Sequence, residues 1–382
     1  MKKKISVTTG SRADYGLLRP VLKEISTSKK LELYLIVTGM HLSKKFGYTI
    51  NEIKKDGFRI SATPNILAKD DSMYVMSKTL GEGIIQFSNI FKKIKPDINL
   101  VLGDRDEMLA SALAASHMNI VNAHIHGGEK SGGIDEYNRH AITKISNIHF
   151  AVTKKSKERI IKMGENPKYV IFTGSPSIDE VANNKITKKN DLERIYDTTF
   201  SGNEIILLQH PVTTESEQSE EQILHTLNAI AKIRKPTIAI APNSDAGNKS
   251  IFKYLKIFSE QHDFIKLYST LPRNDFLGML KYGGVLVGNS SSGLIEASYF
   301  SIPVVNIGIR QKNRERGRNI IDVDGQGVDE IFNAITKAFK NKKEKKLMNE
   351  KIYGDGTASK KITRYLENIT VNQDLIQKQL FY

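Results

Sequence analysis

The 382-residue chain has no cysteine, no tryptophan and only ten prolines. None of its apolar runs approaches the length of a helix that could cross a bilayer. Without cysteine there are no disulfides and no thiolate metal sites, which fits a reducing cytoplasm. The N-terminus, MKKKISVTTGSRADYG, is basic, but its apolar stretch is too short for a signal peptide. A cytoplasmic protein without a membrane partner is therefore expected. The sequence also lacks a Walker loop and a G-x-G-x-x-G fingerprint, which argues against ATPase and NAD chemistry. No solenoid-length repeat or low-complexity tract is present.

Lysine and arginine number 57 against 42 aspartates and glutamates, a formal charge of +15. Such a balance suits nucleic acid, an anionic membrane surface or an anionic small substrate. The lysines are scattered (Lys2–Lys4, Lys92–Lys95, Lys342–Lys346), and no RNP motif, zinc finger or helix-turn-helix accompanies them. No nucleic-acid partner is expected. Most of the charge reads as solvated helix faces, and the clustered remainder suits a polyanionic small substrate.

Short β-rich runs, each followed by a polar cluster and a helical pattern, fill the chain. Examples are Lys4–Thr9, Leu31–Val37, Ile98–Leu102, Ile120–Ile125, His149–Val152 and Tyr169–Phe172. A polar stretch from Val181 to Thr199 follows, and then a second series: Ile205–Gln209, Thr237–Ala241, Phe264–Tyr268, Val285–Val287 and Val304–Ile307. This rhythm predicts an α/β fold of two Rossmann-like domains facing one another across a cleft. The boundaries are placed at 1–185 and 186–382, with the final helix a candidate to pack back on the first domain.

Open parallel sheets bind ligands at the carboxyl ends of their strands. In the first domain those ends carry Gly103-Asp104-Arg105-Asp106-Glu107, His124-Ile125-His126-Gly127-Gly128-Glu129, and Asp135-Glu136 with Arg139-His140. Asp104 is expected to cap a helix starting at Arg105, with Glu107 reaching back as in a capping box. Arg105 suits a phosphate, or holds Asp104 ionised. On a strand, His124 and His126 fall on one side, and the paired glycines allow close backbone approach to a ligand. A metal site lacks an evident third ligand. Acid–base use of Asp104, His126, Glu129 and Asp135 is the expectation.

In the second domain, Gly288-Asn289-Ser290-Ser291-Ser292-Gly293-Leu294-Ile295-Glu296 reads as a strand end opening a helix through a Ser-rich turn. Backbone N–H groups and hydroxyls there suit an anion, and Glu296 suits a ribose diol. The plainer alternative is that Ser292 merely caps the helix. His210, Asn243 and Arg310 follow other strands, and Arg12 lies in the first βα loop of the chain. Together these residues describe a nucleoside diphosphate site.

GSRADYG, GDRDE, HIHGGE, IDEYNRHAITK, GSPSID, LQHPVTT, PNSDAG and GNSSSGLIEA, in this order, resemble the hydrolysing UDP-N-acetylglucosamine 2-epimerase family. The likeness runs from Lys4 to about Asp324. It implies a glycosyltransferase-B type fold, UDP contacts from Arg12, Gly16, Arg105, His210, Asn243, Leu271, Ser290, Ser291, Glu296 and Arg310, and catalysis by Asp104, His126 and Asp135. Some relatives carry glutamate where this chain has His126, so Glu129 is added to the catalytic set. The implied reaction eliminates UDP to a 2-acetamidoglucal and then adds water, inverting C2 and releasing N-acetylmannosamine. It requires no metal or other cofactor. Family members usually form dimers or tetramers. The alternative substrate is a UDP- or GDP-linked 2,4-diacetamido-trideoxyhexose, and the alternative class is a glycosyltransferase.

Overall fold

The computed structural model describes residues 2–68, 73–130, 134–183, 186–242, 247–344 and 351–382. The chain forms two compact units: Met1–Glu180 with Gly354–Tyr382, and Val181–Tyr353. The first holds a seven-stranded sheet of β1 (Lys3–Thr9), β2 (Leu31–Val37), β3 (Ile60–Ala62), β4 (Ile98–Leu102), β5 (Val121–Ile125), β6 (Ile148–Ala151) and β7 (Val170–Phe172). The second holds β8 (Ile205–Leu208), β9 (Thr237–Ile240), β10 (Ile265–Tyr268), β11 (Val285–Gly288), β12 (Val304–Ile307) and β13 (Ile320–Val323). All the strand pairings are parallel. Helices cover parallel sheets on both faces, so central strands such as β4 (INLVL) and β11 (VLVG) are wholly buried and, apart from the hydrogen-bonded Asn99, apolar.

Strand order is β3-β2-β1-β4-β5-β6-β7 in one sheet and β10-β9-β8-β11-β12-β13 in the other. Each order reverses once, between β1 and β4 and between β8 and β11. A crevice opens outside the strand ends at such a reversal. The loops after β1, β4 and β5, and after β8 and β11, flank these reversals.

The two-unit α/β architecture is the one expected. The sequence reading missed β3 and β13, which are short and only partly buried, so they lack the apolar run that marks a central strand.

Residues beyond Gly354 complete the first unit's core. Helix Arg12–Thr27 buries Leu18, Val21, Leu22 and Ile25 at helical spacing against the sheet. Helix Ala358–Asn368 adds Ile362 and Leu366, and Leu375 follows, in the same cluster. Each such side chain contributes roughly 1.5–3 kcal/mol of burial. The Asp179 carboxylate accepts the first N–H groups of the returning helix, Ala358 at 2.8 Å and Ser359 at 2.5 Å. Gly354 (φ +105°) lies so close to Gly174 that a Cβ would sit 2.7 Å from its Cα. The final turn is pinned by Lys378, whose Nζ lies 2.6 Å from Glu165 Oε2.

Candidate active site

Gly103, at φ +82°, turns the chain as it leaves β4 and presents Asp104. Asp104 does not cap the following helix. That helix begins at Asp106, its N-cap Arg105 makes no side-chain cap bond, and Asp104 instead pairs with Arg139. Arg139 is buried on the helix Ile134–Ile145. It also donates from Nη1 to the His126 carbonyl (2.8 Å), and the same nitrogen lies 3.6 Å from Glu129 Oε2. One guanidinium thus ties together three of the four expected catalytic positions.

His126 is not on the strand. β5 ends at Ile125, and His126 adopts φ +65°, a left-handed conformation uncommon outside glycine. The expected same-side histidine pair is therefore broken, and the two rings have different surroundings. Burial pushes the His124 imidazole down to about 3, so it is neutral and donates from Nε2 to the Gly103 carbonyl at 2.8 Å. His126 places Nδ1 2.7 Å from Glu129 Oε2 and Nε2 3.2 Å from Ser175 Oγ.

The paired glycines are required by packing. A Cβ on Gly127 would meet His124 Nδ1 at 2.8 Å, and one on Gly128 would meet Ile160 Cγ1 at 2.5 Å. Among the described residues, no group of three acidic or histidine side chains is placed to hold a metal ion.

Glu107 is also not the capping residue expected of it. The helix start at Asp106 puts it in the second helical position, too early for a capping box. Its buried carboxylate fills the space between two glycines: a Cβ on Gly10 or Gly39 would fall 2.7 or 2.4 Å from Glu107 Oε1. There it receives Arg105, with Nε 3.3 Å from Oε2 and Nη2 3.4 Å from Oε1. Arg105 therefore pairs with Glu107, and Arg139 takes the part expected of Arg105 toward Asp104.

Asp135 lies in the first turn of its helix, one turn before Arg139, and lines a cavity of about 260 Å³ with Arg105, Asp106, Ile66, Met76 and Ile134. Desolvation raises its carboxyl above the usual range, and the nearby Asp104 charge adds to that.

In the second unit, Gly288 (φ +132°) ends β11 so close to β8 that a Cβ would fall 2.0 Å from the Leu208 carbonyl oxygen. The next residue, buried Asn289, accepts from the His210 N–H (2.7 Å) and donates to the His210 carbonyl (2.8 Å). Its own carbonyl accepts from Gln311 Nε2 (3.0 Å) and Arg310 Nη1 (3.3 Å). His210 and Arg310 are thereby fixed to one strand end.

Ser290, not Ser292, is the N-cap, accepting from the Ser292 N–H at 3.3 Å. The helix it opens, Ser291–Leu294, spans four residues and breaks at Ile295 before Glu296–Phe300 begins. So short a helix carries little macrodipole, and any anion there meets hydroxyls and N–H groups instead. Glu296 is held by Arg273, Nη2 to Oε1 at 2.7 Å.

Leu271 stands just before the helix Arg273–Tyr282, half-buried. Arg12 opens the first helix, exposed and 3.4 Å from Glu52, and Gly16 lies one turn on with open space beside its Cα. Asn243 lies outside the described residues.

The sequence reading assigned no role to Ser175, Asn289 or Arg273, and placed Arg139 on the polar face beside Asp135 without its pairing to Asp104. That placement follows because Arg139 stands four residues after Asp135 and so shares its helix face. Nothing in the sequence sets Asn289 apart from its neighbours.

Comparison with known proteins identifies the family. The family model described as UDP-N-acetylglucosamine 2-epimerase matches residues 23–367. The chain is 38% identical to the UDP-N,N'-diacetylbacillosamine 2-epimerase (hydrolyzing) of Legionella pneumophila, over 99% of both chains. It is 34% identical to the UDP-N-acetylglucosamine 2-epimerase of Neisseria meningitidis, over 88% of this chain and 87% of that one. The solved UDP-GlcNAc 2-epimerase of Methanocaldococcus jannaschii shares the fold, with a TM-score of 0.72 at 20% identity over 95% of this chain and 99% of that one. The resemblance noted in the sequence holds: the chain belongs to the UDP-N-acetylglucosamine 2-epimerase family, with its hydrolysing enzymes.

Proposed function

We propose that this enzyme hydrolyses a UDP-linked 2-acetamido sugar with inversion at C2, releasing UDP and the free 2-epimer. The observation that carries the reading is the Arg139 clamp, which gathers Asp104, His126 and Glu129 at the switch point of the first sheet. In the first stage a base takes the C2 proton, the C–H electron pair forms the C1–C2 double bond, and the C1–O pair leaves with UDP. In the second, water adds at C1 and an acid returns a proton to the opposite face of C2. Asp104 and Asp135 are the base and acid, in either order, with His126 and Glu129 as a second proton-carrying unit. The second unit supplies UDP binding through His210, Ser290, Ser291, Glu296 and Arg310, helped by Arg12, Gly16, Arg105, Asn243 and Leu271. Cationic and hydroxyl donors of this kind stabilise a departing diphosphate.

For the sugar, the Legionella relative favours UDP-N,N'-diacetylbacillosamine, because its match runs end to end on both chains. The Neisseria relative favours UDP-N-acetylglucosamine as a second reading. Incubating the enzyme with each in deuterium oxide, without an acceptor, tests both. The expected result is free UDP plus a 2-epimerised sugar deuterated at C2. Intact sugar nucleotide, transfer only to an added acceptor, or a product without deuterium would refute the proposal.

A further inference from the structure

The segment Gly174-Ser175-Pro176-Ser177 follows β7 and carries no role so far. Ser175 is wholly buried, and its Oγ lies 3.2 Å from His126 Nε2 and 2.9 Å from Ser177 Oγ. The hydroxyl directions follow from what each partner can do. An ionised Glu129 can only accept, so the 2.7 Å bond requires a proton on His126 Nδ1. In the neutral ring Nε2 is then an acceptor, and it takes the Ser175 O–H. Ser175 Oγ in turn accepts from the Ser177 N–H (3.3 Å) and from the Ser177 hydroxyl. When the His126–Glu129 pair carries one proton more, Nε2 holds a hydrogen and donates to Ser175 Oγ, whose own O–H turns to Ser177 Oγ. The two hydroxyls reverse, and no heavy atom moves.

We propose that Ser175, backed by Ser177, is a positioning residue for proton transfer: its hydroxyl holds the His126 ring against Glu129 and satisfies Nε2 in both charge states of the pair. This rests on the reading that His126 and Glu129 move protons. The surroundings give the hydroxyl weight. His126 is itself held in a left-handed backbone conformation, and its ring is almost wholly buried. Among the described residues, the charged or titratable groups around it include Glu129 on its ring, Arg139 on its carbonyl, Asp104 beyond Arg139, His124, and Arg159 on the Gly128 carbonyl. Behind Ser175, Gly174 packs directly on Gly354 of the returning chain, which fixes the turn from which the hydroxyl projects.

Removing the hydroxyl affects the two charge states unequally. A neutral ring nitrogen left without a donor is a smaller loss than the N–H of a charged imidazolium left without an acceptor, because unsatisfied charged groups cost more. Ser175→Ala therefore disfavours the protonated pair. In full-length enzyme with ¹³C,¹⁵N-labelled histidine, the His126 resonances are assigned by their disappearance in His126→Gln. Their titration midpoint should fall by about one pH unit in Ser175→Ala, a tenfold change in the protonation equilibrium. Ser177→Ala should give a shift of the same sign but smaller. With sugar nucleotide, kcat should fall about tenfold with KM within about threefold, and the acidic limb of the kcat profile should move with the titration. An unmoved His126 midpoint would overturn the proposal whatever the activity does. So would a kcat loss whose pH profile stays in place, because that marks a structural role alone. A shifted midpoint in an enzyme that turns over no sugar nucleotide would keep the Ser175–His126 assignment and instead sink the catalytic reading on which it rests.

Discussion

Replacing Arg139 with methionine keeps the length of the side chain and removes its charge from between Asp104 and Glu129. Arg139 is 7% exposed and Asp104 18%. Removing one member of a buried pair leaves the other charge uncompensated, at a cost of about 3–5 kcal/mol. Asp104 keeps some hydration, so the lower end applies. The lost bond to the His126 carbonyl adds about 1 kcal/mol. The sum, roughly 4 kcal/mol, corresponds to a fall of about 8–16 °C in the melting transition of a unit this size. Calorimetry on the full-length chain should show it in the transition of the first unit, which holds Asp104, His126 and Glu129. Asp104→Asn removes the charge that Arg139 compensates, so the double variant should regain about 2 kcal/mol over the sum of the single losses. Strict additivity, or a fall of less than about 2 °C for Arg139→Met, would refute the clamp as the organising contact of the site.

Further outcomes follow from the same geometry. Asp135→Asn should abolish turnover while UDP affinity, measured by calorimetric titration, stays within a few-fold; a large affinity loss would make it a binding residue. Ser291→Ala and Arg310→Ala should each weaken UDP by about 1–3 kcal/mol in the same titration, and unchanged affinity would remove them from the site. Asn289→Ala should weaken UDP although Asn289 need not touch it, because His210 loses both bonds to the Asn289 amide, while Arg310 keeps its bond to the backbone carbonyl at 289. Full affinity in that variant would contradict this.

Glu165 gives a pH dependence of stability. Burial alone would raise its carboxyl, but bonds from His149, Lys144 and Lys378 outweigh burial and hold it at about 2. A carboxylate depressed on folding stabilises the native state above its unfolded pKa, and that contribution drains away as pH falls toward the folded value. Wild type should therefore exceed Glu165→Gln by on the order of 3 kcal/mol at neutral pH, with the gap closing steadily below about pH 4.5. A gap that does not change with pH would show that the carboxylate's charge is not what holds the cluster.

The central strands were legible because parallel strands buried on both faces need mainly apolar runs, and Ile98–Leu102, interrupted by Asn99, and Val285–Gly288 are such runs. β3 and β13 sit at sheet edges, where that demand lapses, and the sequence gives no comparable signal. At the site, residue types and their strand-end locations could be read, but pairings could not. Asp104 has Arg105 as its neighbour in sequence and Arg139 as its partner in space. The difference arises because the glycines at 10 and 39 leave a gap that Glu107 fills, drawing Arg105 away. His126 was misplaced for a related reason: a strand's alternation says nothing about the residue at which the strand stops. The cap at Ser290 rather than Ser292 shows the same limit, since three consecutive serines offer equal chemistry and only backbone conformation chooses among them.

The return of residues 354–382 to the first sheet has a consequence for biosynthesis. The second unit is continuous in sequence and can form as soon as it clears the ribosome, whereas the first must wait for Ile362, Leu366 and Leu375 before its interior is sealed. Half of the enzyme begun earliest is finished last, and until then one face of helix Arg12–Thr27 stays open to chaperones and to other nascent chains.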